Sequence, residues 1–86
     1  MKTWFVYLLE CADKSLYCGI TTSLNRRVDE HNTSKKGAKY TRYRRPVRVV
    51  WSKSLNSRSE ASKEEARIKK LSRKEKINLI QNGSAS

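Results

Sequence analysis

Five side chains in this 86-residue sequence have types and spacing that could do chemistry on an anionic substrate: Tyr7, Tyr17, Arg27, His31 and Glu65. Arg27 and His31 stand four apart, so on a helix they face the same way, one turn from each other. Tyr7 and Tyr17 lie in successive apolar runs, and a hairpin of suitable register brings both hydroxyls to one face. Glu65 falls on or beside an apolar helical stripe, where a carboxylate is costly unless it finds a cation, a metal or water. Pairing with an arginine and holding a divalent cation, for which hard oxygen ligands are suited, are equally open. Ordinary roles also exist for the others: tyrosines as hairpin packing, Arg27 as a solvated cation, His31 balancing a helix dipole. The joint placement beside Gly19 favours a site.

The elements that must position these groups are legible in order. Trp4 to Leu9 is an uninterrupted apolar run, as expected of a strand covered on both faces. Polar residues from Cys11 to Ser15 supply a turn, and Leu16 to Ile20 resumes the strand pattern. A turn centred on Ala12 pairs Tyr7 directly with Tyr17, whereas a two-residue turn at Asp13-Lys14 puts them on opposite faces. A mechanism using both therefore requires an odd-length loop or a bulge. Gly19 inside the second strand marks close approach by a ligand or another backbone. Thr22 or Ser23 can cap a helix whose apolar stripe is Leu24 and Val28.

Pro46 to Leu55 reads as a third strand, with Val47, Val49 and Trp51 alternating onto one face. Ser57-Arg58-Ser59-Glu60 and Ser72-Arg73-Lys74-Glu75 each have the form of a capping box that opens a helix. Ala61, Ile68 and Leu71 form the buried stripe expected of the first of these helices, and Ile77 and Ile80 face inward from the second. The expectation is one α+β domain over residues 1–82, a three-stranded antiparallel sheet flanked by about three helices, with a flexible tail at 83–86.

Charge separates the chain into two parts. The net charge is +12, yet residues 1–34 hold four cations and four anions, so the whole excess lies beyond them. Seven of the fourteen residues from Lys35 to Arg48 are Lys or Arg. Lys35, Lys36, Lys39, Arg42, Arg44 and Arg45, interleaved with Tyr40 and Tyr43, form a candidate nucleic-acid-binding loop, because cations neutralise phosphates and tyrosines stack on bases. One His and two separated cysteines, Cys11 and Cys18, make neither a zinc site nor a disulfide framework. The first apolar run is too short for a signal peptide or a membrane span, so a cytoplasmic monomer with no membrane association is expected.

Taken together these residues resemble the GIY-YIG nuclease superfamily, and more closely its small stand-alone bacterial members, over residues 2 to 81. Phe5-Val6-Tyr7 stands where the family has GIY, and Tyr17-Cys18-Gly19 where it has YIG. Leu24, Arg27 and His31 match the helix signature, Gly37-Ala38-Lys39-Tyr40-Thr41 resembles a segment typical of the small subgroup, and Glu65 falls at the family's metal-binding glutamate. Asn78 lies near an asparagine that the family often adds.

The resemblance implies metal-assisted hydrolysis of phosphodiesters in nucleic acid, DNA ahead of RNA, with Tyr7, Tyr17, Arg27, His31 and Glu65 catalytic. It implies that Glu65 holds a single Mg²⁺ or Mn²⁺ and that Arg27 stabilises the charge of the transition state. Tyr17 is implied as the base, Tyr7 as the residue that positions water, and His31 as a proton relay or phosphate ligand. With no second domain to confer specificity, a separate protein partner is a further expectation. Two alternatives stand beside the endonuclease: a non-catalytic basic module binding RNA or DNA on the same fold, and a protein–protein adaptor. Glu65 discriminates, since a binder gains nothing from an unpaired acid facing phosphate.

Overall fold

The computed structural model describes residues 2–33, 41 and 43–83. Three strands, β1 (Trp4–Glu10), β2 (Leu16–Thr21) and β3 (Arg48–Leu55), form an antiparallel sheet in the order β2-β1-β3. Helix α1 (Leu24–Thr33) follows β2, and α2 (Arg58–Lys69) and α3 (Arg73–Gly83) follow β3. The sheet and its helices are as the sequence pattern predicts. β1 is the central strand, and its Val6, Tyr7, Leu8 and Leu9 are all buried, which is why its apolar run has no polar alternation.

The β1–β2 turn spans five residues and is closed by Cys11 N–H donating to the Ser15 carbonyl at 2.9 Å. Asp13 Oδ1 accepts from the Ser15 N–H at 3.0 Å, and Lys14 takes the left-handed conformation with φ of 71°. The register pairs Tyr7 with Gly19 and Leu9 with Tyr17, so the turn is centred on Asp13. The loop is odd in length, and both tyrosines leave the same face. They are diagonal neighbours, two residues out of step, and the direct pairing that a centre at Ala12 would give does not occur.

Two buried clusters lie on opposite faces of the sheet. Val6, Leu8, Cys18, Trp51 and Ile68 form one, with Leu71, Leu79 and Ile80 packed against it from the α2 and α3 side. Tyr7, Leu9, Cys11 and Val47 form the other, covered by Leu24 and Val28 of α1. The expected alternation of Val47, Val49 and Trp51 onto one face fails because β3 carries a bulge. Leu8 pairs with Trp51 but Leu9 pairs with Val49, and the extra residue, Val50, reverses the parity of everything before it. Trp51 therefore packs under α2 while Val47 packs under α1.

The second capping box forms in full and the first in part. Glu75 N–H donates to Ser72 Oγ at 3.1 Å and Ser72 N–H to Glu75 Oε1 at 2.9 Å. Glu60 N–H donates to Ser57 Oγ at 3.1 Å, while its carboxylate reaches back to the Asn56 N–H. On α3 the inward residues are Leu79 and Ile80, and Ile77, expected to face inward, is exposed. Among the described residues no helix is long and apolar enough to cross a membrane.

Candidate active site

Gly19 is the structural pivot of the site. A Cβ built there would stand 2.7 Å from Tyr7 Cζ and closer still to the Tyr7 hydroxyl. No side chain fits that space, so the tyrosine ring crosses β2 because residue 19 is glycine. The close approach expected at this position is thus made by a side chain of the neighbouring strand. Tyr7 is 1% exposed, whereas Tyr17 is half-buried.

Leu24 and Val28 seat α1 on this face, and the helix then delivers Arg27 and His31 to the tyrosines. His31 is fully buried. Its Nε2 lies 3.2 Å from the Tyr7 hydroxyl and its Nδ1 lies 2.8 Å from Thr41 Oγ1. The Tyr17 ring meets it edge-on, with centroids 5.3 Å apart. Arg27 donates to Glu30 Oε1 at 2.9 Å and lies close enough to Tyr7 for its charge to act on the phenol. Four of the five side chains singled out by sequence therefore form one cluster.

Its electrostatics follow from burial. Desolvation pushes the Tyr7 phenol up to about 12 against the opposing pull of Arg27, so Tyr7 keeps its proton at neutral pH. Desolvation, and then the Arg27 charge, lower His31 to about 4, so the imidazole is neutral. Burial works to lower the Arg27 pKa, but its hydrogen bond to Glu30 and the nearness of Tyr7 outweigh it and leave the guanidinium more firmly charged. Every buried side-chain nitrogen and oxygen among the described residues has a partner.

Glu65 arrives from the other side of the sheet. It sits on α2, half-buried, with Lys69 Nζ at 3.4 Å from its carboxylate. The acid beside the apolar stripe is therefore paired, and by a lysine one turn on. On β2, Cys18 between Tyr17 and Gly19 faces the same layer as α2. Burial pushes the Cys18 thiol up to about 12, and among neighbouring charges Glu65 adds most to that shift. Glu64, one residue earlier, is structural: Arg67 and Lys53 bind its carboxylate and hold it down at about 2. No group of three or more potential ligand side chains occurs among the described residues.

Of the candidate binding loop, Lys35, Lys36, Lys39, Tyr40 and Arg42 lie outside the described residues. Tyr43 is 86% exposed. Arg44 Nε donates to Asp13 Oδ2 at 3.0 Å, and its carbonyl accepts from the Ala12 N–H at 2.8 Å, tying this segment to the hairpin turn. Arg45 Nε donates to the His31 carbonyl. Arg44 and Arg45 thus hold the site's surroundings as well as carrying charge.

Two residues that sequence reasoning did not assign complete the site. Thr41 is fully buried on His31. Asn32 takes the place of a missing strand partner, donating to the Val47 carbonyl at 3.0 Å and accepting from the Val47 N–H at 2.7 Å. A Thr in a basic loop and an Asn near a helix end carry no periodic signal, and only their long-range partners reveal them.

Comparison with known proteins agrees with this fold. The family model for the GIY-YIG catalytic domain matches residues 3–78. A UPF0213 protein of Desulfotalea psychrophila is 56% identical over 77 residues, covering 90% of this chain and 70% of the relative. One from Syntrophus aciditrophicus is 52% identical over 80 residues, covering 93% and 92%. The solution NMR structure of the UPF0213 protein of Bacillus halodurans superimposes with a TM-score of 0.62 at 44% identity, covering 95% of this chain and 86% of that one. That of a protein from E. faecalis gives 0.66 at 43% identity, covering 100% and 91%.

Proposed function

The chain belongs to the GIY-YIG catalytic-domain family, and from that premise we propose that it is a metal-dependent endonuclease that hydrolyses phosphodiester bonds in nucleic acid, DNA ahead of RNA. The observation that carries this reading is the convergence of Tyr7, Tyr17, Arg27 and His31 on one face of the β1–β2 hairpin.

The donor set suits Mg²⁺ or Mn²⁺. Glu65 is one partly exposed carboxylate, and small hard cations are commonly held by one or two carboxylates plus substrate phosphate and water. When bound there, such an ion supplies Lewis-acid stabilisation of charge on the scissile phosphate and the leaving oxygen. Lys69 pairs with the same carboxylate and would have to release it for a cation to bind there.

Arg27 contributes a fixed positive charge with donors for the non-bridging oxygens, prepared before substrate arrives by Glu30 and Tyr7. Tyr7 is the poorer base, since burial holds its proton, and it serves to position water through its hydroxyl. Tyr17 is the more exposed tyrosine, and once its own proton has passed to solvent its phenolate takes the proton of the attacking water. His31, neutral and buried, holds the Tyr7 hydroxyl in place.

A second reading, a non-catalytic nucleic-acid-binding module, is favoured by one observation: Glu65 is not an unpaired acid, because Lys69 neutralises it. Cleavage of labelled single-stranded, duplex and branched DNA and RNA with Mg²⁺ or Mn²⁺ decides between them. The nuclease reading expects cutting by the wild type that Glu65→Ala abolishes while binding persists. Salt-sensitive binding with no cutting by either protein moves the assignment to the binding module.

A further inference from the structure

Among the described residues, Tyr43 is the most exposed large hydrophobic side chain, at 86%. Its ring adds almost nothing to the core, yet the backbone that carries it is tied down on both sides. Before it, Thr41 is fully buried, with its Oγ1 2.8 Å from His31 Nδ1. After it, the Arg44 N–H donates to the Thr41 carbonyl at 3.0 Å, closing a turn that holds Tyr43. The Arg44 carbonyl accepts from the Ala12 N–H, Arg44 Nε donates to Asp13 Oδ2, and Arg45 Nε donates to the His31 carbonyl. The residues two before and two after Tyr43 thus both touch His31. Two residues span at most about 7 Å of chain, so Tyr43 stands beside the Tyr7–His31 cluster.

The charge around this turn says what the ring can meet. Residues 35–48 hold seven Lys or Arg and no acid. Such a stretch attracts a polyanion, and a bare aromatic face within it matches the other surface that a nucleic acid offers, the face of a base. Phosphates are equally available on single strands and duplexes, but base faces are not. Inside a duplex each base is covered above and below by its neighbours, whereas an unpaired base can lay a face on a ring that projects from a turn.

We propose that Tyr43 is a stacking platform for an unpaired nucleobase, set beside the candidate active site on a turn pinned to His31. The strand that this protein engages is then single-stranded or locally unpaired. The proposal deepens the nucleic-acid reading above, from which it takes its ligand class. Surrounding cations hold the phosphates and the ring takes one base. Because the backbone of the turn is fixed beforehand, little ordering is left to be done on binding.

The probe is a fluorescently labelled deoxythymidine strand of about a dozen nucleotides, within the usual range of single-strand sites. It is titrated with the full chain in the absence of divalent metal, so that binding is read apart from cutting. Tyr43→Ala is expected to weaken binding by about 5- to 150-fold, the range for removing one base–aromatic stack. Tyr43→Phe should keep the affinity, and Tyr43→Leu, apolar but without a π-face, should lose it as Tyr43→Ala does. An abasic strand of equal length should bind wild type and Tyr43→Ala alike, since its phosphates remain and its bases are gone. The ring carries no core packing, so these variants fold as the wild type does. Equal binding of the thymidine strand by wild type and Tyr43→Ala, a loss that persists on the abasic strand, or a loss in Tyr43→Phe overturns the proposal.

With Mg²⁺ or Mn²⁺ present, the ratio of single-strand to duplex cleavage should fall in Tyr43→Ala by a comparable factor. An unchanged ratio overturns the claim that the platform selects unpaired strands. Cutting by both proteins with equal affinity for the thymidine strand overturns the proposal and leaves the nuclease reading standing. The expected binding series from a wild type that cuts nothing overturns the nuclease reading and upholds the Tyr43 assignment.

Discussion

On the α2 and α3 side of the sheet, Val6, Leu8, Cys18, Trp51 and Ile68 bury an apolar layer, and the charged groups stay at its rim in pairs such as Lys53–Glu64–Arg67. On the α1 side the same strands bury Tyr7, His31 and Thr41 in a hydrogen-bonded row, with the Arg27 charge acting on Tyr7. Alternate residues of one strand serve these two purposes: Cys18 belongs to the first layer, and Gly19 makes room for the second. The apolar layer supplies stability that tolerates substitution by size. The polar row is specified atom by atom, because each buried donor needs its acceptor.

That contrast can be broken most strongly from the apolar side. Ile68→Ala leaves a cavity in the layer and is expected to lower unfolding free energy by about 2–5 kcal/mol. In the nuclease reading, cleavage per folded molecule should be unaffected, and a combined denaturation and activity titration checks both. Next in size is the response to acid, which separates the faces by pH. His31 is depressed in the folded state, so its contribution is present above pH 6.5 and is lost as pH falls from there to about 4. The loss is at most roughly 3 kcal/mol, from the size of that displacement. Glu64 acts in a lower window, its contribution fading from pH 4.5 toward about 2. Denaturation midpoints across pH should show the first loss vanish in His31→Gln and the second in Glu64→Gln.

Gly19→Ala is expected to cost about 1–3 kcal/mol, because its methyl overlaps the Tyr7 ring and forces it from its seat. Unlike Ile68→Ala, in the nuclease reading it should also abolish cleavage. The smallest effect belongs to the rim. Lys69→Ala removes an exposed partner of Glu65 and should shift stability by less than about 1 kcal/mol. In the nuclease reading the same change tightens Mg²⁺ or Mn²⁺ at Glu65, measurable by calorimetry.

Much of this was legible in the chain. The apolar run Trp4–Leu9 announces a central strand, the two Ser-x-x-Glu boxes start α2 and α3, and the four-residue spacing of Arg27 and His31 puts them on one helical face. These are local signals, set by side-chain type and a period of two or 3.6 residues, and they survive into the fold because nothing distant opposes them. Parity was legible too: sequence shows that the tyrosines share a face only if the loop is odd.

Where signals depend on distant partners, the tertiary structure decided. The turn centre moved one residue, from Ala12 to Asp13, because Asp13 caps Ser15 and accepts Arg44 from far along the chain, and the tyrosines became diagonal neighbours. The bulge opposite Leu8 and Leu9 sent Trp51 and Val47 to different faces, since an extra residue in one strand has no marker in composition. Thr41 found His31 ten residues away, and Asn32 found Val47 fifteen away, across a stretch whose sequence has no periodicity. The sequence by itself determined which elements form and which candidate groups each of them carries. Only the packed molecule decided which proton donor meets which acceptor, because hydrogen-bond direction is fixed by three-dimensional neighbours and not by spacing along the chain.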